Sequence, residues 1–304
     1  MGYMEQHFSK RVSPASLIPE TCRVISASMN YLPEDAHCIE GLSNPKKAYI
    51  SRYALGRDYH KVIRKRLAKL AKLISTEIKE GNYRAFVDSA PVLERAIAQN
   101  SGLGWIGKNT MLIDRSAGSW FFLGEIYTDL PLPESKSQKN SLCGTCSACI
   151  DICPTNAFVK PFVLDARRCI SYQTIENKGS IDESLRPHIG NRIFGCDDCQ
   201  LVCPWNKYAF PSTEGDFRPR HNLNDIYLAE IFLWDEETFL KKTSGSAIRR
   251  IGYIHWLRNI AIALGNAPPC EEIVKALRTR LKFPSSLVKE HVEWALARHY
   301  RKTL

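Results

Sequence analysis

No part of the sequence is an apolar run of about 18 residues, so we expect no membrane-spanning helix. Residues 1–10 also lack the apolar segment of an export signal. Without an export context, the 11 cysteines are not expected to pair as disulfides, because disulfides persist in oxidising compartments. The sequence therefore predicts a protein of the reducing cytoplasm with no membrane partner.

Acidic residues are also scarce, with 32 against 42 basic residues and a formal net charge of +10. Electron carriers of the ferredoxin type are usually acidic, whereas a basic excess favours a polyanionic partner such as nucleic acid. With 304 residues, of which 44% are apolar, the chain can bury a large core in two or three subdomains.

Most of the cysteines fall into two runs, one from Cys143 to Pro154 and one from Cys196 to Pro204. The first run has the spacing Cys-x2-Cys-x2-Cys-x3-Cys-Pro of bacterial two-cluster ferredoxins, in which the fourth cysteine binds the other cluster. The second run has one cysteine fewer, and Cys169 is the obvious replacement. The sequence therefore predicts two [4Fe–4S] clusters. Their ligands are Cys143, Cys146, Cys149 and Cys203 for the first cluster, and Cys153, Cys169, Cys196 and Cys199 for the second.

Zinc is the main alternative for these cysteines. A zinc ribbon would use two Cys-x2-Cys pairs and leave the third cysteine of the first run and both Cys-Pro cysteines unexplained. Cys22, Cys38 and Cys270 have no partner at a ligand spacing, and we interpret them as ordinary buried thiols.

Apolar residues at helical spacing predict a long amphipathic helix over residues 58–79, preceded by a short buried strand over 23–28. Lysine and arginine cover the other face of this helix. That basic face is either solvated or in contact with phosphates, and the sequence favours neither reading.

Asp88 follows a predicted strand at 85–87, and Pro91 suits the first turn of a helix that runs to about Asn100. Asp88 would then lie at a strand-to-helix corner, where catalytic groups are common, or it would only cap the helix. The glycine-rich segment 102–109 follows a helix rather than a strand, so we expect a tight loop that lets a ligand approach the backbone, not a dinucleotide fingerprint.

The C-terminal third is predicted to be wholly helical, with helices over 226–232, 236–241, 246–264, 271–281 and 287–300. Two successive helical hairpins are typical of a short HEAT-like solenoid, which makes an interaction surface.

No convincing flavin or nicotinamide fingerprint is present. The corrin-binding pattern Asp-x-His-x-x-Gly has its nearest match at residues 35–41, which is one residue too long. The sequence therefore predicts either no further cofactor or a corrin that is bound without a protein histidine.

Five segments, 87–95, 104–108, 165–172, 190–199 and 258–266, together resemble the epoxyqueuosine reductase family. The resemblance covers nearly the whole chain. It implies a cobalamin enzyme with two [4Fe–4S] clusters that removes the epoxide oxygen of epoxyqueuosine at the wobble position of tRNA, giving queuosine and water. It also implies base-off cobalamin without a histidine ligand, and a catalytic core related to that of reductive dehalogenases.

Individual residues take roles from the same resemblance. Asp88 matches the proton donor of the family, and the tRNA-facing loop corresponds to Asn177 and Lys178. Electrons would come from an external one-electron donor such as a flavodoxin or ferredoxin, and the protein would be a monomer. The expected contacts to cobalamin are Arg11, Ser51, Asp88, Lys108, Ser171 and Asp197.

The expected architecture is an α/β (α+β) cobalamin-binding catalytic domain, an inserted two-cluster ferredoxin-like domain, and an all-α, HEAT-like, tRNA-binding tail. We place these at residues 1–135, 136–215 and 216–304. Family members usually carry about fifty further residues before the segment that matches Met1, so we expect either that the start codon is misassigned or that the first domain is shortened.

Two other functions compete with this reading. Reductive dehalogenases also use cobalamin and two clusters, but they are typically exported and have no use for a basic helical tail. A ferredoxin-type electron carrier would explain the eight ligand cysteines but not Asp88 or the remainder of the chain.

Overall fold

A three-stranded antiparallel sheet forms the centre of the N-terminal half in the computed structural model, which describes residues 2–33, 38–138 and 140–302. Its strand order is β1–β6–β3, and shorter strands form three further pairs, of which β2–β9 is parallel. The strands are β1 (Arg23–Asn30), β2 (Tyr49–Ile50), β3 (Tyr83–Phe86), β4 (Trp105–Ile106), β5 (Leu112–Ile113), β6 (Phe121–Thr128), β7 (Phe158–Lys160), β8 (Val163–Leu164) and β9 (Arg192–Phe194).

The longest helices are α5, α13 and α15. They are α1 (Gly2–Glu5), α2 (Phe8–Val12), α3 (Pro14–Leu17), α4 (Cys38–Ser43), α5 (Tyr59–Ile78), α6 (Glu94–Asn100), α7 (Ala148–Asp151), α8 (Ile170–Ile175), α9 (Arg186–Ile189), α10 (Asp198–Leu201), α11 (Leu228–Phe232), α12 (Glu236–Lys242), α13 (Gly252–Asn266), α14 (Glu271–Thr279) and α15 (Ser286–Lys302). In the part of the chain that the structure describes, none of them is long and apolar enough to cross a membrane.

Every residue of the central strand β6 is buried. Since successive side chains of a strand point to opposite faces, β6 is covered on both faces of the sheet. Phe122 and Ile126 pack with α5, whereas Phe121 and Leu123 pack with α6 and β5. The sheet is thus a middle layer between α5 and the α6–β5 segment. The strand predicted at 23–28 extends to Asn30, and it is only half-buried rather than buried.

Helix α5 confirms the amphipathic pattern of the sequence. Asp58 caps its first turn by accepting a hydrogen bond from the backbone N–H of His60 at 3.2 Å, and Lys79 ends it in the left-handed conformation. Gly124 lets the helix approach β6 closely, because a Cβ at that position would lie 2.6 Å from Cδ1 of Leu67. The basic side chains of α5 are exposed.

The C-terminal helices differ from their predicted bounds mainly at Gly252. Residues 247–251 form a 3-10 helix, and α13 begins only at Gly252, whose φ of 76° interrupts the helix predicted over 246–264. Helices α13 and α15 then pack closely, since Gly265 leaves room for the ring of Trp294.

One hydrophobic core joins segments from all three predicted domains. Ile50 and Phe194 pack in the same buried cluster as Trp256 and Leu257 of α13. The helical tail is therefore packed against the rest of the chain through its interior face. Its division into a separate HEAT-like domain stays a prediction.

Two local predictions are wrong. Helix α6 begins at Glu94 and Leu93 occupies its capping position, so Pro91 lies before the helix and Asp88 does not cap it. The glycines of segment 102–109 make room for the chain itself rather than for a ligand. A Cβ on Gly104 would lie 2.2 Å from the carbonyl oxygen of Ile113, and a Cβ on Gly107 would lie 2.4 Å from that residue's Cδ1.

Candidate active site

A cavity of about 470 Å³ opens where α5, the loop after β3, β6 and the cysteine-bearing segments meet. Seven of its 27 lining residues are aromatic, and the described residues that line it include no histidine. Asp88 and Glu94 line one part of the wall, and Cys169, Cys196 and Cys199 line another. The aromatic lining residues are Tyr31, Tyr53, Tyr59, Phe121, Phe122, Phe158 and Tyr172.

Asp88 lies in the turn between β3 and α6, with 34% of its side chain exposed. The hydroxyl of Tyr59 donates to its Oδ2, and Nε2 of His60 lies 2.8 Å from its Oδ1. The Tyr59 ring is fixed by stacking on Phe122, with ring centroids 4.1 Å apart. Two neighbouring residues at the start of α5 thus hold the carboxylate at the cavity wall.

Two further carboxyl groups, of Glu94 and Glu125, lie near Asp88. Burial, and then the charge of Asp88, raise the pKa of Glu94 to about 7. Burial, followed by the charges of Glu94 and Asp88, raises the pKa of Glu125 to about 8. The raised pKa values mean that the protonated forms of Glu94 and Glu125 are favoured relative to exposed carboxyl groups.

Asp197 forms a second fixed polar group, on the cysteine side of the cavity. It is 2% exposed and accepts hydrogen bonds from the hydroxyls of Tyr49 and Ser51 and from the backbone N–H of Arg52. Burial raises its pKa, and these donors oppose the rise. Ser51, Asp197 and Ser171 all line the cavity.

The four thiols predicted for the first cluster line a small separate cavity of about 40 Å³, between Lys108 and Trp205. Burial raises the pKa of Cys149 to about 11, and the nearby thiols of Cys143, Cys203 and Cys146 raise it further. Such thiols ionise when a cationic centre compensates them, so the group suits a metal cluster.

The thiols predicted for the second cluster lie at the large cavity. Cys169, Cys196 and Cys199 line it, while Cys153 is close enough to raise the pKa of Cys169 and Cys199, after the larger effect of burial. Among the described residues no three histidine, cysteine or acidic side chains are close enough to hold a single metal ion.

The structure brings only four of the six predicted cobalamin contacts to the large cavity, namely Ser51, Asp88, Ser171 and Asp197. Lys108 instead lines the small cavity, where its Nζ donates to the carbonyls of Gly144 at 2.7 Å and Cys146 at 2.8 Å. Arg11 lies on α2, where its Nε donates to the carbonyl of Gln6 at 3.4 Å. Asp35 and His37 of the imperfect corrin pattern lie outside the described residues.

The predicted tRNA loop is held from inside by α13. Arg258 is fully buried and donates from Nη1 to the carbonyls of Asn177 and Gly179, both at 2.7 Å. Nε2 of His255 lies 3.0 Å from the carbonyl of Lys178, whose side chain is exposed. The loop follows Ile175 and Glu176, which line the cavity, so it lies beside the cavity rim.

Sequence reasoning missed Tyr59, His60 and Glu94 as site residues. Tyr59 was counted as an apolar position of the amphipathic helix, and Glu94 as an ordinary residue of the following helix. Three consecutive polar residues, Asp58, Tyr59 and His60, at a helix start were the available signal. Glu125, in the middle of a strand of apolar residues, was another.

A family model described as a 4Fe-4S double cluster binding domain matches residues 142–206, which include all the predicted cluster ligands. The fold and the site thus define an iron–sulfur protein of mixed α/β structure. A cavity with acidic side chains in its wall lies beside the predicted cluster ligands. A second model, described as epoxyqueuosine reductase QueG, DUF1730, matches residues 11–89.

Full-length relatives identify the family. The epoxyqueuosine reductase of Pseudomonas aeruginosa is 62% identical over 299 residues, covering 98% of this chain and 83% of the relative. That of Escherichia coli is 55% identical over 302 residues, covering 99% of this chain and 79% of the relative. The chain belongs to the epoxyqueuosine reductase family, and it is an enzyme, a reductase.

Solved structures agree with this assignment. Epoxyqueuosine reductase from Bacillus subtilis has a TM-score of 0.87 at 28% identity, covering 98% of this chain and 79% of that one. An epoxyqueuosine reductase with an epoxyqueuosine-modified tRNA stem loop has a TM-score of 0.81 at 26% identity, covering 97% of this chain and 86% of that one. Membership of this family rules out the dehalogenase and simple electron-carrier readings.

Proposed function

We propose that this chain removes the epoxide oxygen of epoxyqueuosine at the wobble position of tRNA, giving queuosine and water. Electrons would pass from an external one-electron donor through two [4Fe–4S] clusters to cobalamin in the large cavity, with Asp88 as proton donor. The observation that carries the proposal is that one cavity has Asp88 in one part of its wall and three ligand cysteines in another.

The residues of the cavity fit cobalamin. A corrin presents a broad apolar ring with amide side chains at its rim, and the wall offers aromatic faces together with Ser51, Asn109, Ser171 and Gln200 as polar partners. When bound, cobalamin would supply a metal centre that accepts single electrons and reduces the substrate carbon.

The thiol positions suggest the order of the electron path. The second set of cysteines borders the large cavity, whereas the first set lies behind it, with Cys146 exposed. Asn109 lines both cavities and donates to the carbonyl of Cys199 at 3.3 Å. We infer that electrons enter the first cluster beside Cys146 and pass from the second cluster, beside Cys199, to the large cavity.

Asp88 supplies the proton that epoxide opening requires. The reaction breaks two C–O bonds, forms a C–C double bond and consumes two electrons and two protons, with the oxygen leaving as water. A proton donor must therefore meet the oxygen as its first bond breaks. Asp88 is the acidic side chain that is both at the cavity wall and held by Tyr59 and His60.

The tRNA would be held around the cavity mouth. The exposed basic face of α5 and the loop with Asn177 and Lys178 would contact phosphates of the anticodon stem, which makes binding weaker at high salt. Under this proposal, residues 1–135, 136–215 and 216–304 serve as the cobalamin, cluster and tRNA-binding parts. The protein would act as a monomer.

The test uses anaerobically reconstituted protein with cobalamin, a strong reductant and tRNA that bears epoxyqueuosine. Digested nucleosides are examined by mass spectrometry for the loss of one oxygen. Wild-type protein should convert the substrate, and Asp88→Asn should be at least about 10²-fold slower, as expected for the loss of a positioned acid.

Asp182→Asn, at an exposed position away from the cavity, is the matched control and should react like the wild type. No conversion by a wild-type sample with full clusters and bound cobalamin would overturn the proposed reaction. Conversion without cobalamin would overturn the assignment of the large cavity.

A further inference from the structure

His60 lies between two carboxylates at the inner end of the site. Its Nδ1 is 2.7 Å from Oδ1 of Asp58, and its Nε2 is 2.8 Å from Oδ1 of Asp88. We propose that Asp58 and His60 form a proton-supply arm, in which His60 is held as an imidazolium and passes its proton to Asp88. This inference rests on the proposed function, because Asp88 must be the group that meets the substrate.

The hydrogen-bond geometry favours the doubly protonated ring. An ionised carboxylate only accepts hydrogen bonds, so both ring nitrogens must donate for both short contacts to be favourable. Either neutral tautomer would direct a lone pair at a carboxylate oxygen less than 3 Å away. The mobile proton of the resting site is therefore stored on His60, and Asp88 accepts hydrogen bonds from His60 and Tyr59.

Asp58 is held by Arg250 as well as by His60, which makes it an anchor for the arm. It is 7% exposed and caps α5, and its Oδ2 accepts from Nη2 of Arg250 at 3.1 Å. Burial, the largest single effect, would raise the pKa of Asp58, but the hydrogen bonds to the side chains of His60 and then Arg250, together with their charges, lower it to about 2. Asp58 thus stays ionised throughout the range in which His60 titrates.

The charged and titratable groups that face His60 come from three elements. Asp58 and Tyr59 belong to the start of α5, Asp88 and Glu94 to the segment after β3, and Arg250 to the 3-10 helix before α13. Burial lowers the pKa of His60, but its hydrogen bonds to Asp58 and Asp88 outweigh this effect, and the net shift is upward. Arg250 opposes the rise through its positive charge.

Protons and electrons balance with this arm in place. Two electrons come from the external donor, one proton reaches the epoxide oxygen from Nε2 of His60 through the Asp88 carboxyl group, and the second comes from solvent. Both C–O bonds break, and the oxygen leaves as water. Neutral His60 regains its proton from solvent before the next turnover. His60 acts through Asp88 and is thus a positioning and proton-supplying residue.

The first measurement is the protonation of His60 in the holoenzyme, by NMR of protein labelled with 15N-histidine. The signal that disappears in His60→Gln belongs to His60. In the wild type, both ring nitrogens should stay protonated to a higher pH than those of free histidine. In Asp58→Asn the transition should move down by about one pH unit, because one anionic neighbour is lost while asparagine still caps the helix.

The second measurement is single-turnover conversion of tRNA bearing epoxyqueuosine as a function of pH. The rate constant of His60→Gln should fall by about 10²-fold with little change in tRNA affinity. For Asp58→Asn, the alkaline limb of the pH profile should move down together with the NMR transition. His188→Gln, which removes an exposed histidine, should leave both the rate and its pH profile unchanged.

The outcomes separate this inference from the reaction itself. A wild type that fails to convert the substrate contradicts the proposed function, whatever the state of His60. An active wild type whose His60 is neutral at pH 7, or whose pH profile does not change in Asp58→Asn, overturns the proton-supply arm. A purely structural role would lower cluster content or melting temperature without moving the alkaline limb.

Discussion

Glu125 provides a direct test of how this fold treats a buried charge. It lies in the middle of β6, is 0% exposed, and neither carboxylate oxygen has a hydrogen-bond partner among the described residues. Opposite it in the sheet are Ser26 of β1 and Phe86 of β3. A carboxylate at this position would be buried without compensation, so we expect Glu125 to be neutral in the folded protein.

The size of the effect follows from the pKa. Burial raises the pKa of Glu125 from 4.5 to about 8, and each pKa unit corresponds to about 1.4 kcal/mol. Below pH 4.5 the group is protonated in both states and carries no penalty. Between pH 4.5 and 8 only the unfolded chain ionises, so folding stability falls as pH rises, by up to about 5 kcal/mol.

Glu125→Gln removes this titration and nearly preserves the side-chain volume. Its melting temperature should exceed that of the wild type at pH 8.5 and match it at pH 4.5, when both are measured anaerobically with intact clusters. At about 2 °C per kcal/mol, the gain at pH 8.5 should approach 10 °C. Glu80→Gln, at an exposed position, should show no such pH-dependent gain.

The result that would refute the reasoning is an equal shift at both pH values, or none at either. An equal shift would mean that the amide changes packing and that ionisation is not involved. No shift would mean that Glu125 is already ionised and compensated at pH 8.5.

Three further predictions concern the loop, the clusters and Asp197. Arg258→Lys cannot reproduce the guanidinium fork that holds the loop at 177–179, so affinity for the tRNA stem loop should fall about tenfold in an anisotropy titration, with iron content unchanged. Unchanged affinity would contradict a tRNA role for the loop. Cys203→Ser and Cys196→Ser should each lower iron from about eight to about four per chain, and only Cys196→Ser should weaken cobalamin binding, because only Cys196 lines the large cavity. Asp197→Asn loses the anionic acceptor for two hydroxyls, and its Kd for cobalamin should rise about tenfold in a spectral titration; an unchanged Kd would place the corrin elsewhere.

The cysteine pattern shows what residue spacing alone can predict. The runs from Cys143 and from Cys196 predict two clusters, because the ligand geometry of a cubane constrains residues that are near one another in sequence. The matched double-cluster domain confirms the iron–sulfur part of that reading. Helix α5 was equally predictable within one residue at each end, since its apolar period is local.

Contacts between residues of different segments could not be predicted from the sequence. Lys108 was expected at the corrin, but its Nζ binds carbonyls of the first cysteine loop, which is brought to it by the fold. The glycines near it were expected to admit a ligand and instead admit the carbonyl of Ile113 from the paired strand. The corrin contact of Lys108 stays a prediction. The glycine contacts are short-range, but they depend on the pairing of β4 with β5, which the glycine motif does not encode.

The sequence by itself determined the iron–sulfur chemistry and the amphipathic helices, because both depend on residue type and local spacing. It also offered Asp88 as a candidate acid, from its place after a strand and from the family resemblance. Only the tertiary structure decided what surrounds Asp88. His60 and Tyr59 come from α5, Glu94 from α6 and Glu125 from β6, and packing of those elements around one sheet brings the groups together. Burial and the fields of neighbouring charges set their protonation, and both depend on three-dimensional proximity that no local pattern encodes.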